Sequence, residues 1–153
     1  CSKYGYEPVM LTDQLCCQAK EAGSFLASIA KTHCKSGKKL AYIAGGETVV
    51  NITGHGKGGR NQEIALSAAE GIKGMSNAAV FSIGSDGTDG PTDAAGGYSD
   101  GDTAGELKNK GIDIFEVLKN NDAYNALKLT EGLIITGPTG TNVNDVSVLL
   151  ISD

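Results

Sequence analysis

A run of ten residues, Gly54-His55-Gly56-Lys57-Gly58-Gly59-Arg60-Asn61-Gln62-Glu63, constrains the fold more than any other stretch, because it joins segments of different periodicity. Residues 49–53, Val-Val-Asn-Ile-Thr, are rich in β-branched side chains and read as a strand, whereas residues 64–69, Ile-Ala-Leu-Ser-Ala-Ala, favour a helix. A strand, a glycine turn and a helix in that order belong to a layered α/β protein. Glycine permits close backbone approach, and the free amides of a helix start point out of the turn, where they favour an anion. Arg60, the only arginine of the chain, stands at that helix start.

Gly54-x-Gly56-x-x-Gly59 formally satisfies the G-x-G-x-x-G dinucleotide fingerprint, with Asp86 a loose match for the acidic residue expected about 20 positions on. Residues 60–63 are all polar, however, where a dinucleotide-binding helix needs small residues that pack on its sheet. The phosphate-loop pattern fails as well. Gly54 and Gly59 have its separation, but Arg60-Asn61 replaces the Lys-Ser/Thr pair that would reach phosphate and magnesium. What remains is a glycine turn beside a guanidinium, suited to bidentate contact with a carboxylate or phosphate. The alternative is a plain connector with Arg60 solvated.

The 153 residues are one domain's worth of chain, long enough to bury a core without staples. A net charge of −5 with a single arginine argues against a nucleic-acid partner, which would call for a basic face. Apolar runs such as residues 132–136 and 146–151 are far short of the about 20 needed to cross a bilayer. With no charged and apolar leader either, a soluble cytoplasmic protein without membrane contact is expected. The chain opens at Cys1 rather than at methionine, which points to a longer parent. Its four cysteines, Cys1, Cys16, Cys17 and Cys34, include no C-x-x-C pair and are expected as reduced, buried thiols.

Taken in order, residues 7–11 predict a short strand, and Thr12 or Asp13 caps a helix running to about His33. Residues 39–44 predict an apolar strand that turns at Gly45-Gly46 and re-enters extended structure at Val49. After the glycine loop and its helix, residues 77–84 predict a strand buried on both faces. Residues 85–102 read as a long loop, Asp100 or Asp102 caps a helix ending at Gly111, and two short helices follow at residues 114–118 and 123–127. Strands at residues 133–136 and 146–151, joined by a short loop, predict antiparallel neighbours. The expected fold is a single compact α/β domain with a mixed, mainly parallel sheet flanked by helices and long glycine-rich loops.

Two further loops carry polar groups. Asp86, Asp89 and Asp93 lie where Gly87, Gly90 and Pro91 deny a helix, and they fail the EF-hand order. They could hold magnesium through water, accept a hydroxyl proton, or simply cap turns. Residues 137–145 combine Thr139, Thr141, Asn142 and Asn144 with Asp145, a set whose amides and hydroxyls could cradle an oxyanion or sugar.

Four motifs, Gly45-Gly46-Glu47-Thr48, Gly56-x-Gly58-Gly59-Arg60-Asn61-Gln62-Glu63, the run from Gly84-Ser85-Asp86-Gly87 through Asp93 to Gly96, and Thr136-Gly137-Pro138-Thr139-Gly140-Thr141-Asn142-Val143-Asn144-Asp145, stand in an order that resembles the MOFRL domain. That domain is the C-terminal part of type 2 glycerate kinases, which also carry an older hydroxypyruvate reductase label. The resemblance covers about residues 40–151, with residues 1–39 as a leading strand and helix joining it to a Rossmann-like N-terminal domain. It implies ATP-dependent phosphorylation of D-glycerate to 2-phosphoglycerate in an interdomain cleft, with ATP and Mg2+ as cofactors of the full-length parent. On that basis Arg60 would clamp a carboxylate or phosphate, assisted by the backbone at Gly58 and Gly59. Asp86, Asp89 or Asp93 would take the hydroxyl proton, with Asp86 and Asp93 the candidate metal ligands. Glu47, Asn61, Glu63, Thr139, Thr141, Asn142, Asn144 and Asp145 would line the substrate site. Rival expectations are a non-catalytic ligand-binding or docking domain, inactive alone, an NAD(P)-dependent reductase, and a homodimer.

Overall fold

Three of the most apolar segments of the chain lie side by side in the middle of the sheet. They are β2 (Leu40–Gly46), β3 (Ala78–Gly84) and β6 (Asp145–Ile151), and β6 lies between the other two, antiparallel to both. In this computed structural model, which describes residues 1–152, β1 (Glu7–Leu15) adds to β2, while β4 (Gly96–Asp100) and β5 (Leu133–Ile134) extend the other edge. The six-stranded order is β1-β2-β6-β3-β4-β5. The sheet is mixed, as expected, but mainly antiparallel, because only β1 and β2 pair in parallel. β2 and β3 run in one direction, with β6 inserted antiparallel between them.

Among the described residues five α-helices accompany the sheet, besides a short 3-10 turn at Ser2–Tyr4: α1 (Ala19–His33), α2 (Arg60–Ile72), α3 (Thr103–Asn109), α4 (Ile114–Lys119) and α5 (Ala123–Lys128). Leu26 and Ala30 of α1, with Ile64, Ala68 and Ile72 of α2, close over Leu40, Tyr42, Val80, Leu149 and Ile151 of the sheet. Across α2, Leu66 and Ala69 meet Leu107, Ile114 and Leu127 of the three short helices. The central helix is therefore buried on two sides, which accounts for its alanine-rich sequence. Where α1 crosses α2, a Cβ on Gly23 would run into Ser67 Oγ and the Ile64 carbonyl, so only glycine allows this approach.

The opposite face of the sheet carries a row of cross-strand neighbours, Met10, Ile43, Val148, Phe81 and Tyr98. This row belongs to neither helix-packed cluster, and Met10 is 65% exposed. β3 accordingly alternates between buried and half-buried residues instead of being enclosed on both faces.

Several local expectations are corrected. Residues 133–136 and 146–151 are not neighbours, since β5 pairs with β4 at the edge and β6 is central. Residues 49–53 form no strand of the sheet. Only Val49 makes an isolated parallel bridge, to Gln18, and Thr53 turns its amide to Asn121 Oδ1 at 2.8 Å. The strand β4 falls inside what reads as a loop. The first helix starts at Ala19, because residues as far as Leu15 continue β1 along the sheet edge. For the same reason Cys16 and Cys17 sit outside the helix. All four thiols are free, but Cys1, Cys16 and Cys17 are exposed instead of buried.

Candidate functional site

The glycine run and the first turn of α2 form the floor of a cleft of about 640 Å3. Its position follows from how the run is anchored. Asn121 Oδ1 accepts the Thr53 and Gly54 amides at 2.8 and 2.9 Å, the Asn120 carbonyl accepts the Gly56 amide at 2.8 Å, and Asp122 Oδ1 accepts the Lys57 amide at 2.8 Å. The α4–α5 connector thus acts as a template on which an otherwise plastic loop is laid. Asn121 takes a φ of 56°, a left-handed conformation that asparagine tolerates better than most residues.

At the helix start, the expected external anion is already provided by the chain. The Asp89 carboxylate, 3% exposed, accepts the Asn61 and Gln62 amides at 3.1 and 2.9 Å and the Asn61 side-chain amide at 3.2 Å. A carboxylate at this place satisfies orphan amides and complements the helix dipole. Burial nevertheless pushes the Asp89 pKa up, against the pull of those hydrogen bonds and with the charge of Asp145 adding to it. Gly59 leaves room for this contact, because a Cβ there would overlap the Asp89 carboxyl group. Asn61 is fully buried and also accepts from Ser82 Oγ at 2.5 Å, so it braces α2 on β3 and does not face the cleft. Asn61 is expected among the substrate contacts, and in this structure its side chain is engaged by Asp89 and Ser82.

Arg60 lies at the meeting point of three elements. Its Nε and Nη2 donate to Asp145 Oδ2 and Oδ1 at 2.5 and 3.2 Å, and its Nη1 lies 2.8 Å from Glu47 Oε1. Asp145 opens β6 and Glu47 follows β2, so the guanidinium spans the ends of adjacent antiparallel strands. The hydrogen bond to Asp145, opposed by burial and helped by the charges of Asp145, Glu47 and Asp89, raises the arginine pKa further. Its two partners differ in exposure: the Asp145 side chain is 7% exposed and that of Glu47 59%. Asp145 therefore positions Arg60, and Glu47 is the partner that can yield to a ligand.

Glu63 lines the cleft one turn along α2, 4% exposed, accepting from Asn121 Nδ2 at 2.8 Å. Burial raises its pKa, with the Asn121 hydrogen bond and Lys20 acting in the opposite sense. Gly58 and Gly59 line the floor, and Val49, Val50, Ile52 and Pro91 supply apolar walls. Thr48, Asn121 and these apolar residues are site components that motif reading missed. The only signals were the threonine that ends Gly45-Gly46-Glu47-Thr48 and the conspicuous Asn120-Asn121-Asp122 turn.

The three loop aspartates do not converge. Asp86 Oδ1 accepts the Thr88 amide at 2.9 Å in its own turn, and Asp93 accepts from the Tyr124 hydroxyl at 2.7 Å, a bond that lowers the Asp93 pKa. Lys57 lies 4.0 Å above the Tyr124 ring. Neither Asp86 nor Asp93 is among the residues lining the cleft. Among the described residues no group of three or more acidic, histidine or cysteine side chains is disposed to hold a metal ion. The last loop is fastened to the second: Thr139 Oγ1 donates to the Ser85 carbonyl at 2.5 Å, and the Val143 amide donates to Ser85 Oγ at 2.7 Å. Thr141, Asn142 and Asn144 are exposed there and, like Thr139, are not among the cleft-lining residues; Asp145 alone of that set reaches Arg60.

The fold is an α/β domain in which an arginine held by two carboxylates stands at an acidic cleft. The chain belongs to the MOFRL family, whose profile matches residues 40–145. It is 54% identical over 151 residues to the D-glycerate 2-kinase of Thermotoga maritima, covering 96% of this chain and 36% of that one. A crystal structure of glycerate kinase from Thermotoga maritima superposes with a TM-score of 0.94 at 53% identity, over 98% of this chain and 37% of that chain. A relative from Agrobacterium vitis bearing a hydroxypyruvate reductase label is 39% identical over 153 residues, 96% of this chain and 40% of that one. The chain thus spans little more than a third of the length of these relatives.

Proposed function

We propose that this domain forms one wall of the active site of a glycerate 2-kinase, which transfers the γ-phosphoryl group of ATP to the 2-hydroxyl of D-glycerate, with a further domain of the same parent providing the other wall. The observation that carries the reading is Arg60, held by buried Asp145 on one side and by displaceable Glu47 on the other. Phosphoryl transfer depends on positioning and on neutralising charge spread over the transferred oxygens. An anion arriving at Nη1 replaces Glu47 while Asp145 keeps the guanidinium plane fixed. Arg60 is the only cation among the cleft-lining residues, against Glu47, Glu63 and Asp89. The remaining positive charge required by a nucleoside triphosphate and a carboxylate substrate has to come from outside this domain. The apolar sheet face, with Met10 65% exposed, is a second surface that a neighbouring domain would cover.

The reductase reading has less support, because the glycine run follows no strand of the sheet and so lacks the strand-turn-helix frame of a dinucleotide site. Saturable enhancement of NADH fluorescence would favour it. The kinase reading is tested in the full-length parent by coupled assay of glycerate phosphorylation. Arg60→Ala is expected to lower kcat roughly 10²- to 10³-fold, the loss typical of one transition-state donor. Turnover at the wild-type rate in Arg60→Ala would remove the arginine assignment. The 153-residue chain alone is expected to show no turnover.

A further inference from the structure

Thr48 is 3% exposed, lines the cleft, and its hydroxyl has no hydrogen-bond partner. An unpartnered buried hydroxyl costs stability unless something else pairs with it. Its surroundings narrow what that could be. The lining carries three carboxylates against one arginine, and that arginine is already engaged by Asp145 and Glu47. The amides at the start of α2 are engaged by Asp89. Away from the Arg60 end, the cleft is thus rich in acceptors and unfavourable to an anion. Val49 and Ile52, 54% and 79% exposed, form an apolar strip along one wall, with Pro91 also lining the cleft. A volume of about 640 Å3 suits a ligand of drug-like size and far exceeds a three-carbon acid.

From these observations we infer that the cleft between the Thr48 segment and Glu63 takes the nucleoside portion of the phosphoryl donor, its planar base on the Val49–Ile52 strip and its hydroxyl or amine hydrogens directed at Thr48 and Glu63. This inference rests on the kinase reading and deepens it, by separating the uncharged end of the donor from the charged end at Arg60. Glu63, 4% exposed on the cleft wall, presents carboxylate oxygens that accept from such a ligand. The Thr48 hydroxyl is a binding group here and takes no part in bond making.

The test uses adenosine, which carries no phosphate, titrated into the ¹⁵N-labelled 153-residue chain. The amides of Thr48, Val50, Ile52, Glu63 and Asn121 are expected to shift together, and D-glycerate or inorganic phosphate at equal concentration is expected to leave them in place. Thr48→Val removes the hydroxyl at nearly constant shape and is expected to weaken adenosine roughly five- to tenfold, the range of one net hydrogen bond, without lowering the melting temperature. Thr48→Ser is expected to retain binding. Ile52→Thr, at an exposed position where the fold is not at risk, is expected to weaken binding through the apolar strip. Absence of adenosine shifts at these amides, shifts produced instead by glycerate or phosphate, or a Thr48→Val protein with wild-type affinity would each overturn the inference. Because adenosine binding needs no turnover, a parent that fails to phosphorylate glycerate would defeat the kinase reading without touching this result.

Discussion

Asp89 occupies, from within the chain, the position that the first turn of α2 would otherwise offer to an anion from solution. Gly59 is what makes room for it, and Gly59→Ala is expected to destabilise the domain by about 1–3 kcal/mol, the usual cost of forcing atoms into a filled site, measured by urea unfolding. Glu63 gives a pH prediction. Its folded pKa is raised, so the folded state binds its proton more tightly than the unfolded chain. Its stabilising contribution is fully present below the unfolded carboxylate value of about 4.3 and is lost as pH climbs through the raised folded value. Wild type should therefore lose stability relative to Glu63→Gln as pH rises above about 4, and parallel stability profiles for the two proteins would contradict this. At this scale the sequence is uneven evidence. Arg60 was legible because it is the sole guanidinium and follows a glycine run. The bracing bonds of Asn61 were not legible, because nothing local shows that Asp89 and Ser82, 28 and 21 residues away, would engage its side chain. Asn121 was overlooked because its bonds to Thr53 and Gly54 span 68 and 67 residues.

Among the elements, helices with a clear apolar periodicity were legible and strand partners were not. Residues 114–118 and 123–127 matched α4 and α5 closely, whereas β4 was hidden because Gly96 and Gly97 give no strand signal. Their glycines are needed where β4 passes close to its neighbours: a Cβ on Gly96 would meet the Ser82 carbonyl. The crossing of α1 over α2 permits a decisive substitution. Gly23→Ala adds up to about 1 kcal/mol of helix propensity, but the new Cβ would meet the Ile64 carbonyl, which cannot rotate away as a side chain could. The clash should dominate, with a net loss of about 1–2 kcal/mol in denaturant unfolding. A stabilised Gly23→Ala protein would mean that the two helices are farther apart than described.

For the whole molecule, the α/β class was legible from alternating helical and apolar segments, but the order of the strands was not, since sequence neighbours need not be spatial neighbours. β6 shows this most clearly. Among the described residues it is the last strand in sequence order, yet it joins β2 to β3 along two full ladders. Deletion of residues 145–153 is expected to abolish cooperative thermal unfolding in circular dichroism, because it removes the middle of the sheet together with the Asp145 anchor of Arg60. A chain that keeps a sharp transition after this deletion would show that the two sheet halves hold together without it. The same placement imposes a timetable on synthesis. While the protein leaves the ribosome, β2 and β3 have no strand between them, and the edges on which β6 will dock stay open until residues 145–151 emerge. The arginine site and the centre of the sheet are then completed in one event, so a prematurely terminated product would carry neither a closed sheet nor an oriented Arg60.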